Sequence, residues 1–306
     1  MEIRFHRQAN VITPIMVAGW PGMGNVAINA VDYLRRKLGA RLFAEIDTEG
    51  INLPDAIIVN RGLARFPEPP KNLFYYRKNP SVIFLEGQVQ LSGEPAVKLM
   101  NMVLDLAEKH KVKRLFTGAA FPVPVNYRET SSVYVASTSA SLIDYFRGMG
   151  VASLKAGQIS GLNGLMLGFA QSRGIEAACL LATLPQYAIN FPNPRASSAI
   201  VKIISKILGV EIDMTEIEKV VAEMDKKMAA VEDKIREMFP VSEPEQPIDL
   251  GSDKTPNYVM EKVEKLFEEA KRDRKKATQL KKELDRWDLY KLYEDRFLDL
   301  FKEMGG

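Results

Sequence analysis

Apolar residues fall into two patterns over residues 1–210: short unbroken runs, which mark buried strands, and longer stretches where they return every three or four positions, which mark helices. Ile15, Met16, Val17 and Ala18 form the first run. It is too short for a helix and ends at Gly19, so it predicts a strand buried on both faces. A sharp turn follows, in which Gly19, Gly22 and Gly24 leave the backbone free to take positive φ and Pro21 presets its own. Val26, Ile28, Ala30, Val31, Leu34 and Leu38 then recur at helical spacing, with Asn25 as N-cap and Gly39 closing the helix.

The alternation continues. Strands are predicted at 41–46, 56–60, 73–76, 82–85, 114–117, 132–137 and 177–182, with Asn52, Pro54 and Asp55 making one turn, Asn79-Pro80 another, and a proline-rich loop running through Pro122 and Pro124. Helices are predicted at 94–110, 141–147 and 196–208, and another opens at 159–164 and ends before Gly174. This order defines an α/β class with a mixed, largely parallel sheet flanked by helices, antiparallel where strands follow one another between 56 and 85. Such a sheet is phosphorylase-like rather than simply doubly wound.

Beyond Gly209 the period changes. Ile217, Val220, Met224, Met228, Val231, Ile235 and Met238 give a helix at 214–238 with one narrow stripe, and prolines 240, 244, 247 and 256 mark a linker at 239–256. A last helix at 257–303 carries a coiled-coil-like heptad seam through Val259, Val263, Leu266, Ala270, Asp273, Ala277, Leu280, Leu284 and Trp287, continued on a shifted face by Leu289, Tyr293, Phe297 and Leu300. As one helix it is ~70 Å long. The seam is expected to be covered by arms of neighbouring subunits or by the helix at 214–238.

Charge sharpens the same boundary. Residues 1–210 hold 23 Lys and Arg against 14 Asp and Glu, whereas 211–306 hold 19 against 25. The chain therefore reads as an α/β core at 1–210 and a helical extension at 211–306. Cys179 is the single cysteine, which excludes an intramolecular disulfide and suits a reducing cytoplasm. No leader or membrane span is expected, because no stretch approaches the apolar length that either needs.

Candidate chemistry is sparse. A strand, a glycine loop and a helix N-terminus make a cradle for an anion. However, Gly-x-x-Gly-x-Gly is not the dinucleotide fingerprint, and no Lys-Ser or Lys-Thr follows. A tight turn that seats the helix on the sheet is the primary reading, and Gly19, Gly22, Gly24 and Asn25 are secondary ligand candidates. A pocket of this fold lies beyond the carboxyl ends of the parallel strands. The pattern places Glu86, Gln88, Gln90, Thr117, Thr183 and Tyr187 there, with Ser160 and Asn163 at a helix start. Of these, Glu86, Gln88, Ser160 and Asn163 join the candidate ligand set. Carboxamides and hydroxyls suit a neutral ligand or peptide and serve acid–base chemistry poorly.

His6 and His110 lack metal-ligand spacing, so no metal and no cofactor are expected. His110 is expected to face the dipole at a helix C-terminus, and Cys179 to be a buried small hydrophobe. The basic run around Lys271, Arg272, Arg274, Lys275, Lys276, Lys281 and Lys282 is interleaved with acids, with Phe267 off the seam, so a solvated helix face is preferred over nucleic-acid binding.

Several segments together resemble one family. Pro-Ile-Met-Val-Ala-Gly-Trp-Pro-Gly-Met-Gly-Asn-Val-Ala at 14–27, Phe-Ala-Glu-Ile-Asp at 43–47 and Ile-Ser-Gly-Leu-Asn-Gly at 159–164 look like the proteasome assembly chaperone family, type two. Gly-Ile-Glu-Ala-Ala-Cys-Leu-Leu at 174–181 and Asn-Pro-Arg-Ala-Ser at 193–197 extend the likeness. It implies a phosphorylase-like core, homo-oligomers, and proteasome subunits or another protein client as partner. Some archaeal members dock through a C-terminal hydrophobic-Tyr-x tail, and this chain departs from that by ending Phe301-Lys-Glu-Met-Gly-Gly306. The expectation is a non-catalytic, cytoplasmic assembly protein. The alternative is an enzyme acting on a nucleoside-like or carboxylate-amine substrate in the strand-end pocket.

Overall fold

The structure, a computed structural model, describes residues 1–48, 50–51, 56–238, 257–272 and 274–286, with Leu289, Tyr293, Arg296 and Phe297. The expected turn at Asn52, Pro54 and Asp55, the linker 239–256, Asp273, Trp287, Leu300 and the terminal 301–306 lie outside the described residues. So do the side chains of Val231, Ile235, Met238, Val259, Lys271, Arg272, Arg274 and Lys275. The chain divides into two units, Met1–Phe239 and Pro240–Gly306.

In the first unit the strands are β1 (Ile3–Phe5), β2 (Ile15–Gly19), β3 (Arg41–Asp47), β4 (Ile58–Asn60), β5 (Leu63–Arg65), β6 (Lys71–Arg77), β7 (Val82–Gly87), β8 (Arg114–Val123), β9 (Val133–Ser137), β10 (Ala152–Ser153) and β11 (Glu176–Pro185). The helices are α1 (Val26–Lys37), α2 (Gly93–Lys109), α3 (Ala140–Gly148), α4 (Gly161–Ser172), α5 (Pro194–Leu208) and α6 (Thr215–Met238). Nine strands form one sheet in the order β1-β3-β6-β7-β2-β8-β11-β9-β10. The central strands β7, β2, β8 and β11 run parallel. β1, β3, β6 and β7 pair antiparallel, as does β9 with β11.

The central strands are apolar throughout because both of their faces are covered. Met16, Ala18, Ile83 and Leu85 pack under α2 and α4, with Leu99, Val103, Leu162 and Met166. Val17, Val82, Phe84 and Leu180 face α1, α3 and α5, with Leu34, Phe146, Ile200 and Val201. β2 therefore has the two buried faces that its apolar run predicted.

Three boundaries differ from the sequence expectation. The strand expected at 56–60 belongs to a separate hairpin, β4 with β5, whose Ile58, Val59 and Leu63 are exposed. The strand expected at 114–117 continues through Pro122. β2 pairs with β8 only as far as Thr117, so beyond that point β8 has β11 on one side and the missing Pro122 N–H leaves no ladder bond broken. The break expected near 210 lies further on, because α6 packs into the first unit. Ile217 joins the core below α1, the Tyr33 hydroxyl donates to the Asp213 carbonyl at 2.7 Å, and Met228 is buried with Tyr127 and Ala188. The composition shift records a change in exposed faces there, not the end of the packed core.

The second unit replaces the long helix expected at 257–303 with two, α7 (Asn257–Arg272) and α8 (Arg274–Arg286). In one continuous helix Lys262 and Glu283 would stand ~30 Å apart. Their ion pair measures 3.0 Å, so α8 folds back along α7. This hairpin buries Val263, Leu266, Ala270, Ala277, Leu280 and Leu284 against one another. Within the second unit the described seam residues of α7 and α8 cover one another. Phe267 is fully buried there rather than lying off the seam. Among the described residues no helix is long and apolar enough to cross a membrane.

Candidate binding site at the strand ends

At β2 and β8 the chain leaves in opposite directions, since α1 carries it to β3 on one flank while β8 leads to β9 on the other. Such a reversal opens a crevice beyond the carboxyl ends of the strands, where α/β sheets bind ligands. Here it is a cavity of about 720 Å³. Its wall includes Gly22 and Met23 after β2, Leu91 after β7, Phe121 of β8, and Ile159 and Ser160 before α4. None of the lining residues carries an ionisable side chain.

The polar groups around the crevice bind the loops to one another. Asn163, which is buried, accepts the Trp20 N–H at 3.0 Å and donates Nδ2–H to the Trp20 carbonyl at 3.1 Å. The Asn163 carbonyl in turn accepts the Thr117 hydroxyl at 2.8 Å. Gln90 spans two loops, donating to the Pro21 carbonyl and accepting the Leu162 N–H. Trp20 is fully buried, and its indole N–H donates to Asn72 Oδ1 at 2.9 Å. A Cβ at Gly87 would lie 2.0 Å from the Trp20 ring, so only glycine fits beside it.

Of the eight candidate ligand residues, Gly22, Ser160 and Asn163 meet in this wall. Gly24 and Asn25 line a separate recess of about 240 Å³, where the Gly24 N–H is donated to the Ile189 carbonyl and the Asn25 N–H to Gly22. These two donors are thus spent on backbone carbonyls and not held out to an anion, the secondary reading of this loop. Gly19 serves packing, because a Cβ there would come within 2.9 Å of the Ala27 backbone. Asn25 precedes α1 in a left-handed conformation, φ 49°, and its side chain makes no capping bond. Gln88 prolongs the β6–β7 ladder by accepting the Lys71 N–H.

Glu86 is on the α1 face of β7, outside the crevice. Burial pushes its carboxyl up, against the opposing pull of Arg35, whose Nε–H it accepts at 2.7 Å. Thr183 and Tyr187 accept backbone N–H groups of Ser132 and Tyr127. His110 caps the C-terminus of α2. Burial and then Lys109 push its pKa down, and its ring stands edge-on to Phe43 at 5.4 Å. Cys179 is the inert buried thiol expected, pushed up to about 12 by burial. Trp20 and Asn72, which organise the site, lay outside the candidate set; the tryptophan within Gly-Trp-Pro-Gly was the available signal.

Fold and crevice together define a three-layer α/β protein with a charge-free cavity at the switch point of its sheet. The chain belongs to the PAC2 family, whose model matches residues 16–232. It is similar to the uncharacterized protein MJ1210 of Methanocaldococcus jannaschii, 25% identical over 236 residues, covering 76% of this chain and 88% of that protein. Among solved structures it resembles Pyrococcus furiosus PbaB, an archaeal proteasome activator, with TM-score 0.65 and 26% identity over 76% of this chain and 98% of that one. It shares its fold with Pyrococcus furiosus PbaA, an archaeal homolog of proteasome-assembly chaperone, at TM-score 0.61 and 20% identity over 77% and 94%. The Mycobacterium tuberculosis proteasome-assembly chaperone homologue Rv2125 shares it too, at 0.60 and 22% over 71% and 94%.

Proposed function

We propose that this chain is a non-catalytic, homo-oligomeric cytoplasmic protein that binds proteasome subunits and promotes their assembly or activation. The observation that carries this reading is the crevice itself. A cavity of about 720 Å³ at the ligand-binding end of the sheet has no ionisable side chain in its wall, and general acid–base chemistry needs one. Membership of the PAC2 family and the likeness to an archaeal proteasome activator supply the kind of partner. In this reading Gly22, Ser160 and Asn163 shape a cavity that accepts a neutral group of the client, and no cofactor or metal takes part.

The test is co-elution of the full chain with purified archaeal proteasome α-subunits, read by multi-angle light scattering together with the mass of the chain alone. A stable complex formed by an oligomer is expected. A monomer that leaves α-subunit assembly and proteasome peptidase activity unchanged overturns the proposal. Adenosine and inosine serve as probes for the competing enzyme reading. At 100 times its Kd a ligand raises stability by about 2.7 kcal/mol, which a thermal melt resolves.

A further inference from the structure

A second cavity, of about 500 Å³, lies away from the strand-end crevice, between α5, α6, the Thr130–Ser131 loop and the turn at Met149 to Val151. Its chemistry is the opposite of the first. Arg195, Ser198, Lys202 and Lys206 are spaced so that they share one face of α5, and all four line it. Glu218 is the one carboxylate in the lining. Arg195 is anchored by Asp225 at 2.6 Å, which fixes the guanidinium at the rim, and its Nε–H is enclosed without a partner. Among the described residues neither Lys202 nor Lys206 forms an ion pair.

Ser198 is the second, independent observation. Its neighbours on α5 spend their hydroxyls at once, Ser197 on the Val26 and Asn193 carbonyls and Ser205 on the Val201 carbonyl. Ser198 is only 6% exposed, yet its hydroxyl has no hydrogen-bond partner among the described residues. Since Ser198 lines the cavity, its unspent hydroxyl is available to whatever occupies that space. Arg195 and Lys206 are ~16 Å apart along the helix, too far to share one anionic group. Arg195, Ser198 and Lys202 occupy successive turns of α5 and line the same cavity. Val133, Met149 and Val151 supply an apolar wall.

We propose that this cavity is a binding site for a small organic phosphate. Its dianionic head takes the Ser198 hydroxyl, the Lys202 ammonium and the free edge of the Arg195 guanidinium, and its apolar part lies against Val133 and Met149. With Asp225 and Glu218 counted, the three cations leave one excess positive charge, and the three donors, a hydroxyl, an ammonium and a guanidinium, match the three oxygens of a phosphate better than the two of a carboxylate.

Isothermal titration of the full chain with phenyl phosphate, inorganic phosphate and benzoate tests this. Saturable binding is expected in the order phenyl phosphate, inorganic phosphate, benzoate. Lys202→Glu, an exposed position that leaves the fold intact, should weaken phenyl phosphate about tenfold or more, the scale of one charge-assisted contact. Ser198→Ala should weaken it severalfold, and the remote Lys98→Ala should leave it unchanged. Absence of saturable binding, equal affinity for benzoate, or an undiminished affinity in Lys202→Glu overturns the proposal. Binding of a polyglutamate peptide in place of the phosphates overturns it as well, in favour of a protein-docking groove.

Discussion

Asn163 holds the backbone of Trp20 from both sides, taking its N–H at 3.0 Å and giving to its carbonyl at 3.1 Å across 143 residues of sequence. One side chain thereby satisfies both backbone polar groups of a buried residue, in the manner of a neighbouring strand.

Asn163→Leu removes both bonds and leaves two buried groups unpaired, so a loss of about 2–4 kcal/mol is expected in urea unfolding. Asn163→Asp keeps the acceptor and should lose less. Equal stability of Asn163→Leu and the parent chain would show that water replaces the amide.

The glycines of the turn separate into two kinds. Gly24 has φ 63° and a Cβ there would lie 2.9 Å from Leu184, whereas Gly22 is extended and a Cβ would meet only Asn163 at 3.9 Å. Gly24→Val should cost about 1–3 kcal/mol or more, while Gly22→Val should stay within about 0.5 kcal/mol. Thermal melts of the two variants decide it, and equal losses would refute the distinction.

Acid should loosen α6 from α1. Asp213 is held at about 2 by the Thr215 hydroxyl and N–H and then by Lys37, and Arg36 and Lys37 push Glu216 down. Both folded values lie below the unfolded ones of about 3.9 and 4.3, so these contacts contribute above about pH 4. Their contribution is lost as pH falls towards about 2. The groups are exposed, so the effect is modest. Amide exchange in α6, corrected for intrinsic rates, should rise over that range, and Asp213→Asn with Glu216→Gln should flatten the rise. An unaltered pH dependence in the double variant would count against the contacts.

Truncation after Gly251 should leave the first unit intact, because its core and the α7–α8 seam are separate clusters. Calorimetry should show the first unit's transition at an unchanged temperature. In contrast, Leu280→Ala in the full chain should destabilise only the second unit, by about 2–5 kcal/mol. A shift of the first unit's transition on truncation would contradict this.

Much of the fold was legible because periodicity reports burial directly. Met16, Val17 and Ala18 are apolar in succession because helices cover both faces of β2, and the heptad seam is apolar because something must cover it. That α8 turns back on α7 was not legible, since Val263 and Leu284 show the same spacing in one long helix as in a hairpin. The position of Ser160 and Asn163 at the crevice wall was legible, because their residue types suit a helix start. Trp20 was not, because a tryptophan held by an asparagine 143 residues away leaves no local pattern. Glu86 misled for a related reason: strand alternation turns it to the α1 face, and only the position of Arg35 reveals its partner.

The same grip has a consequence for synthesis on the ribosome. Trp20 and Asn163 are separated by 143 residues, so at ~5–20 residues per second Asn163 follows Trp20 by ~7–30 s. Until then the peptide of Trp20 has only water for a partner. β2, destined for the centre of the sheet, first awaits β7 and then β8. The N-terminal segment therefore spends the longest time as bare apolar chain; α4 closes one face of β2, and α5, made later still, completes the other. A nascent chain arrested before residue 163 lacks the amide that takes both backbone groups of Trp20, and the crevice wall is complete only after Leu181 has followed.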